Sequence, residues 1–212
     1  ELRIVKMGLI SNGTTLLDAG SLDAGVAKGA LTLIKTLTAS SDSTLSFVHG
    51  TASVVLDSTY KEYIFKFINM HASDNDGPND FTVNFRDGGS DYDATKTSSF
   101  FWAYQEEDGS TTQFGSAGSN DLAQGTGTQP ISANPGNDND QCVSGTLTIY
   151  DPANTTHVKH FMATTNSTEA GDYSINSYAA GYCNVTAAID GVQFAFQDGT
   201  IDTGTIKLYG VT

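Results

Sequence analysis

The 212-residue chain carries 24 acidic and 10 basic side chains, which give it a net charge of -14. This balance lacks the basic surface that attracts nucleic acids or anionic lipids, so we predict neither nucleic acid nor a membrane as a partner. Hydrophobic residues make up 38 % of the chain and include 11 Phe and 9 Tyr. That content is enough to fill the core of one domain.

Residues 1–30 differ from the rest of the chain, with repeated Gly-Ala and Asp-Ala-Gly steps and few β-branched runs. We predict an irregular N-terminal arm or attachment segment here, ahead of a sandwich domain at residues 31–212. A disordered leader is the alternative, because chain termini are poorly ordered unless they are tied down. The apolar side chains of this segment need cover, and they are Leu2, Ile4, Val5, Leu9, Ile10, Leu16 and Leu17.

Strand patterns begin at residue 31, and the strongest one spans Tyr60 to Met70. Side chains alternate along a strand, so Tyr63, Phe65 and Phe67 share one face. We predict that these three aromatic side chains form one wall of the core. The opposite face mixes apolar and charged residues and is predicted to meet solvent or a partner; it carries Glu62, Ile64, Lys66, Ile68 and Met70.

A long polar stretch from Glu106 to Gln141 is rich in Gly, Ser, Asn and Asp. A loop of this length is unusual inside a compact domain and commonly serves binding or assembly. Strand patterns resume at Val143, and the turn at Asp151–Asn154 predicts a hairpin. About a dozen short strands separated by turns predict an all-β, two-sheet sandwich, of the kind that often closes as a jelly roll.

Catalytic motifs are missing from the sequence: it has no nucleophile elbow, phosphate loop, zinc-protease motif or dinucleotide fingerprint. His157 and His160 lie three apart on a predicted strand, so their side chains face opposite sides. The consecutive carboxylates at residues 106–108 are not the facing pair that glycoside hydrolysis requires. We therefore predict that the chain is not an enzyme and has no catalytic residue.

Three acidic loops, at residues 74–80, 87–93 and 137–140, supply oxygen atoms of the kind that calcium prefers. None has the spacing of an EF-hand, and Asp-Gly and Asn-Asp pairs also form ordinary turns, which is the interpretation we favour. We predict no metal site and no cofactor. Cys142 and Cys183 lie beside predicted strands, where they could either bond to each other or remain buried thiols.

Aromatic side chains on one predicted strand are the best candidates for a binding site. Phe100, Trp102 and Tyr104 share one face of this strand, and Phe101 lies on the other. A flat apolar ring such as that of Trp102 can stack on a sugar, so Trp102 and Tyr104 are candidate glycan contacts. Packing of the same rings into the core is the alternative, because aromatic side chains dominate core burial.

Four phrases carry a family resemblance: STYKEYIFKFINMH (58–71), NDLAQGTG (120–127), GTLTIYDPANTTHVKHFM (145–162) and IDTGTIKLYGV (201–211). Together they resemble structural and tail-fibre-like virion proteins of environmental, including marine, bacteriophages. The resemblance covers roughly residues 40–211 in order, while residues 1–30 depart from it. It implies a jelly-roll-like β-sandwich displayed on the virion, with no catalytic motif to carry over.

The resemblance implies a non-catalytic structural protein, such as a head decoration, a knob or a tail-fibre domain, which could also aid host attachment. A carbohydrate-binding, lectin-like receptor-binding module is the alternative, with a host-surface glycan as its ligand. The mixed face of residues 60–70, the polar stretch and the apolar N-terminal segment all favour a homo-oligomer. Its expected three-fold symmetry, and its assembly with other virion proteins, come from the resemblance alone.

Overall fold

The computed structural model describes residues 9–11, 14–18, 21–22, 29–74, 79–116 and 118–212. These residues form strands and a single 3-10 turn at Gly118–Asn120, with no α-helix. Within the same ranges, no helix is long and apolar enough to cross a membrane. The strands are β1 (Leu9–Ser11), β2 (Thr14–Asp18), β3 (Ser21–Leu22), β4 (Leu31–Thr38), β5 (Leu45–Val48), β6 (Glu62–Ala72), β7 (Phe81–Arg86), β8 (Lys96–Glu106), β9 (Thr112–Ser116), β10 (Gln129–Pro130), β11 (Val143–Tyr150), β12 (Lys159–Glu169), β13 (Tyr173–Cys183), β14 (Gly191–Phe196) and β15 (Ile201–Val211).

Two antiparallel sheets of unequal size pack face to face. The large sheet has eight strands in the order β4-β15-β6-β11-β12-β13-β8-β9, and the small sheet has four in the order β10-β7-β14-β5. The chain alternates between them, so that β5, β7, β10 and β14 each lie between strands of the large sheet in sequence. The predicted all-β, two-sheet sandwich is confirmed.

The described parts of the N-terminal segment form a separate sheet of three short strands. β1 pairs with β2 and β2 with β3, all antiparallel. The composition of residues 1–30 predicts an irregular arm, but the described parts of this segment include paired strands. The large sheet begins directly after it, at Leu31.

Phenylalanine rings fill the space between the two sheets. Tyr63, Phe65 and Phe67 of β6 are all buried, which confirms the predicted core wall. Phe194 of the small sheet lies at the centre, with its ring 5.3 Å from that of Phe65 and 5.1 Å from that of Phe67. It also stacks against Phe81 on its own sheet, at 5.9 Å. Edge-to-face and offset pairs of this kind add to the energy of burial.

The alternation along β6 predicts Met70 on the outer face, and this prediction is wrong: Met70 is fully buried. Asn69 has a φ of 50°, and β6 contributes one extra residue to its pairing with both neighbouring strands at this point. Two consecutive residues, Ile68 and Asn69, are exposed as a result. A β-bulge reverses the alternation beyond it, and so turns Met70 into the core.

The polar stretch 106–141 is not a structureless loop. It contains β9 and β10, and it runs back along β8, where the backbones of Lys96 and Gly125 exchange two hydrogen bonds of 2.8 and 2.9 Å. Its later part carries buried residues, among them Ile131 and Ser132. The stretch therefore supplies strands to both sheets and buried residues to the domain.

The two cysteines are free thiols. Cys183 is fully buried, and burial raises its pKa to about 12, so the unreactive thiol form persists. Its two cross-strand neighbours are Lys96 and Lys159.

Both of these lysines are fully buried with their ammonium groups against oxygen atoms. Lys96 donates to Asn84 Oδ1 at 2.6 Å, and Lys159 donates to the carbonyl oxygen of Val185 at 2.5 Å. Burial lowers the pKa of Lys96 to about 8. Each lysine makes further bonds to loop carbonyls, so the pair fastens loops to the inner face of the large sheet.

Replacement of Phe65 by Ala should cost about 3–5 kcal/mol in the free energy of unfolding, because it removes a fully buried ring from the centre of the sandwich. Ile68→Ala is the matched control on the same strand, since Ile68 is 42 % exposed, and it should cost less than about 1 kcal/mol. Chemical denaturation of the two variants measures both values. Equal losses would contradict the assigned faces of β6.

Candidate functional site

A pocket of about 280 Å³ opens on the inner face of the large sheet, near the end of β8. Phe100, on the same face, is buried in the core, whereas Trp102 and Tyr104 are only partly buried. The small sheet therefore leaves this end of the face uncovered. The pocket is lined by Trp102, Tyr104, Ala133, Asn134, Glu169, Tyr173 and Ile175.

Three aromatic rings form the apolar wall of the pocket. The rings of Trp102 and Tyr104 stack at 5.3 Å with an angle of 23° between their planes. Tyr173 of β13 meets Tyr104 edge to face at 4.9 Å. Tyr104 donates its hydroxyl hydrogen to Gln113 Oε1 at 2.8 Å, which ties the ring to the edge strand β9. The three rings therefore form one anchored aromatic cluster that lines the pocket.

Gly115 on the edge strand makes room for the Trp102 indole. It lies opposite Trp102 in the pairing of β8 with β9, and a Cβ atom at this position would lie 2.8 Å from two indole carbons. Such a distance is too short for a real contact. The absent side chain at residue 115 thus allows the indole to lie flat across the neighbouring strand.

Polar groups complete the lining of the pocket, and Glu169 lies directly across the strand pair from Tyr173. Glu169 accepts hydrogen bonds from Asn134 Nδ2 at 3.2 Å and from the backbone N–H of Gly171 at 2.6 Å. A carboxylate has about four acceptor positions, so Glu169 keeps capacity for a ligand. Asn134 is held in place by buried Asp80, which accepts from its backbone N–H at 2.8 Å. Burial raises the pKa of Asp80, and the bond from Asn134 opposes that shift.

Further carboxylates lie beside the pocket, next to Tyr173. Glu106 lies opposite Tyr173 in the pairing of β8 with β13. The charges of Glu106 and, to a lesser extent, Glu169 contribute to raising the pKa of the Tyr173 hydroxyl. Next to this position, the turns after β8 and β12 meet through a 3.0 Å bond from Glu107 N to Asp172 O. The neighbouring depression between these turns is lined by Glu106, Glu107, Asp108, Gly171 and Asp172.

A second aromatic surface lies on the outer face of the same sheet. We name it the outer patch, and it consists of Phe101, Phe114, Met162 and Tyr178, whose exposed fractions are 39, 71, 54 and 39 %. Phe101 and Tyr178 stack at 4.9 Å, and Phe114 lies 5.8 Å from Phe101. These side chains support each other but remain open to solvent.

The structure brings the two predicted glycan contacts, Trp102 and Tyr104, into one pocket. Trp102 also packs against the core, as the alternative interpretation predicts, while glycan contact stays a prediction. Sequence reasoning missed Tyr173, Asn134 and Glu169, which reach the pocket through strand pairing and a loop. The exposed positions of Met162 and Tyr178 follow from the alternation of side chains along β12 and β13. The same period-two pattern in the sequence could have predicted that these two side chains face solvent.

The acidic loops and histidines do not form a metal site in the part of the chain that the structure describes. Within it, no group of three or more His, Cys, Asp or Glu side chains could hold an ion. Residues 75–78 of the first acidic loop lie outside the described residues. His157 precedes β12, while His160 lies on that strand beside Tyr182, with 6.0 Å between their rings.

Comparison with known proteins identifies no relative of this chain. No protein-family model matches it, and no curated protein or solved structure is significantly similar to it.

Replacement of Gly115 by Ala should displace the Trp102 indole, because the added methyl group would occupy its place. Trp102 is the only tryptophan, so its fluorescence reports on the pocket alone. We expect a shift of the emission maximum to longer wavelength as the ring moves into water. Gly127→Ala is the control, since a Cβ atom there meets nothing within 4 Å. An unchanged spectrum for Gly115→Ala would contradict the described packing.

Proposed function

We propose that this chain is a non-catalytic structural module of a bacteriophage particle, such as a head decoration, a knob or a tail-fibre domain. The outer patch is the observation that carries the proposal. Monomeric proteins rarely expose a contiguous aromatic surface unless it is used for binding. The resemblance of four sequence segments to virion proteins supports the same conclusion. So does the fold, because the outer face of an eight-stranded sheet is large enough to contact another protein.

The partner that covers the outer patch is proposed to be a second copy of this chain, within a closed homotrimer. Identical subunits can bury such a patch around a rotation axis without forming open filaments. Part of the outer face of β6 is already covered within the chain, since Lys66 Nζ lies 5.5 Å above the ring of Tyr209. The patch of β8, β9, β12 and β13 is therefore a better interface than the mixed face of β6.

Long-range repulsion opposes this association, because each copy carries a net charge of -14. Salt screens repulsion between exposed charges, with a Debye length of about 10 Å at 0.1 M. Apolar contacts are not weakened in this way. An oligomer held by the outer patch should therefore form more readily as ionic strength rises.

Sedimentation equilibrium of the full chain should show a trimer at micromolar concentration, more populated at 0.3 M than at 0.02 M salt. Phe114→Ser should shift it towards monomer, because Phe114 is 71 % exposed and its loss should hardly affect folding. Leu33→Ser is the control, since Leu33 is 52 % exposed on the opposite edge strand β4. A single species near 22.3 kDa under all conditions would contradict self-association, and a dimer would contradict only the three-fold symmetry.

A second function, binding of a host-surface glycan, is favoured by the aromatic pocket. Sugar rings present flat C–H faces that stack on rings such as those of Trp102 and Tyr104, while hydroxyl groups need polar partners such as Asn134 and Glu169. The pocket volume of about 280 Å³ is at the small end of ligand pockets, which suits one or a few sugar rings at the end of a glycan. Such a site would give the particle a means of host attachment.

Glycan binding is expected to need the aromatic wall. Tyr173→Ala should weaken binding of a responsive glycan on an array by about tenfold or more, as loss of a central aromatic contact commonly does. Tyr150→Ala, at another partly exposed tyrosine, should leave binding unchanged. Binding that survives in both Tyr173→Ala and Trp102→Phe would place the ligand elsewhere, and no binding by the unaltered chain across neutral, cationic and acidic glycans would contradict this second function.

A further inference from the structure

The charges around the pocket restrict which glycans can enter it. The chain offers no basic side chain among the residues that line the pocket, while Glu169 forms part of its wall. Glu106 stands across the strand pair from Tyr173, and three more carboxylates line the neighbouring depression. A ligand carrying a carboxylate or sulfate would meet only like charge here, and no basic side chain in the pocket lining would offset the repulsion.

Resting on the proposed glycan-binding function, we infer that the ligand class is a glycan that contains amino sugars with free, protonated amino groups, and that acidic glycans are rejected. Two features of the same pocket support this, namely its aromatic rings and the Glu169 carboxylate beside Tyr173.

Glu169 is placed to recognise an ammonium group. Each of its two oxygens accepts one hydrogen bond from the protein, at 3.2 Å from Asn134 and 2.6 Å from Gly171, which fixes the carboxylate and leaves other acceptor positions free. Hydrogen bonds between an ammonium donor and a carboxylate are stronger than those between neutral groups. The fixed carboxylate therefore favours an amine over a hydroxyl at the same position of the sugar.

The aromatic wall adds to the same preference. The faces of Trp102, Tyr104 and Tyr173 carry partial negative charge, and a cation near such a face is attracted to it. An amino sugar stacked on Trp102 and Tyr104 thus gains from ring contact, from the nearby ring faces and from Glu169. An N-acetylated sugar of the same shape retains only the first of these contacts.

Titration calorimetry with three matched oligosaccharides tests the inference, namely chitosan oligomers, the corresponding N-acetylated chitin oligomers, and oligogalacturonate of similar length. At low salt and mildly acidic pH, the chitosan oligomer should bind about two- to fivefold more tightly than its N-acetylated counterpart, the upper part of the range expected for one partly exposed ion pair. Oligogalacturonate should not bind. The preference should shrink in 0.3 M salt, because screening weakens exposed ion pairs.

Glu169→Gln should abolish the preference for the free amine while retaining binding of the N-acetylated oligomer. Glu106→Gln should reduce the preference less, because Glu106 lies outside the pocket lining. The unfolding midpoints of both variants would reveal a folding defect, and Glu106→Gln still tests the role of charge if Glu169→Gln is unstable. Asp91→Asn is the matched control: it removes the same unit of charge from an exposed loop after β7, and the preference should persist. That control separates recognition by the pocket from general attraction of cations to an acidic chain.

The outcomes separate the two levels of the proposal. Equal affinity for the free and N-acetylated oligomers would overturn the amino-sugar inference and leave glycan binding intact. Binding of oligogalacturonate would overturn it as well. If neither the free nor the N-acetylated oligomer binds, the amino-sugar inference fails, and the array described above decides whether glycan binding fails with it. A preference that Glu169→Gln leaves unchanged, but that Asp91→Asn removes, would show that only the net charge of the chain attracts the amine.

Discussion

The packing of Phe194 between the sheets is the contact on which the rest of the domain depends. Its ring lies within 5.1 to 6.3 Å of four other phenylalanine rings, two from the large sheet and two from its own. Protein interiors pack as densely as organic crystals, so such a cluster allows few relative positions of the two sheets. It determines which part of the eight-stranded sheet is covered by the four-stranded one, and which part stays open.

The pocket is a consequence of that unequal coverage. Along β8 the inward-facing side chains pass from Phe100 in the core, through Trp102 at its edge, to Tyr104 at the opening. The small sheet leaves this end of the large sheet uncovered, and the loop that carries Ala133 and Asn134 partly encloses it. Buried polar groups hold this loop in place. Asp80 does this through Asn134, as Lys96 and Lys159 do for other loops. Buried charges are costly unless they are hydrogen-bonded, and each of these three groups accepts or donates at least two hydrogen bonds.

Local patterns in the sequence were sufficient to predict the sandwich and the core face of β6, because alternation with period two is a property of neighbouring residues. They failed at Met70, since a bulge depends on the pairing of β6 with two strands distant in sequence. They also placed Trp102 and Tyr104 on one face. Tyr173 and Glu169 could not be assigned to the same pocket, because only the adjacency of β12, β13 and β8 brings them there.

Alternation along β8 has a consequence for how the two surfaces operate together. Trp102 points into the pocket and Phe101, the preceding residue, points into the outer patch, so the two surfaces lie back to back across one layer of sheet. Copies of the chain joined through the patch would thus hold all their pockets on the outside of the assembly. Several sites on one rigid body bind a repetitive ligand with avidity, so the effective concentration of the pockets, more than the affinity of each one, would determine how firmly such an assembly is held.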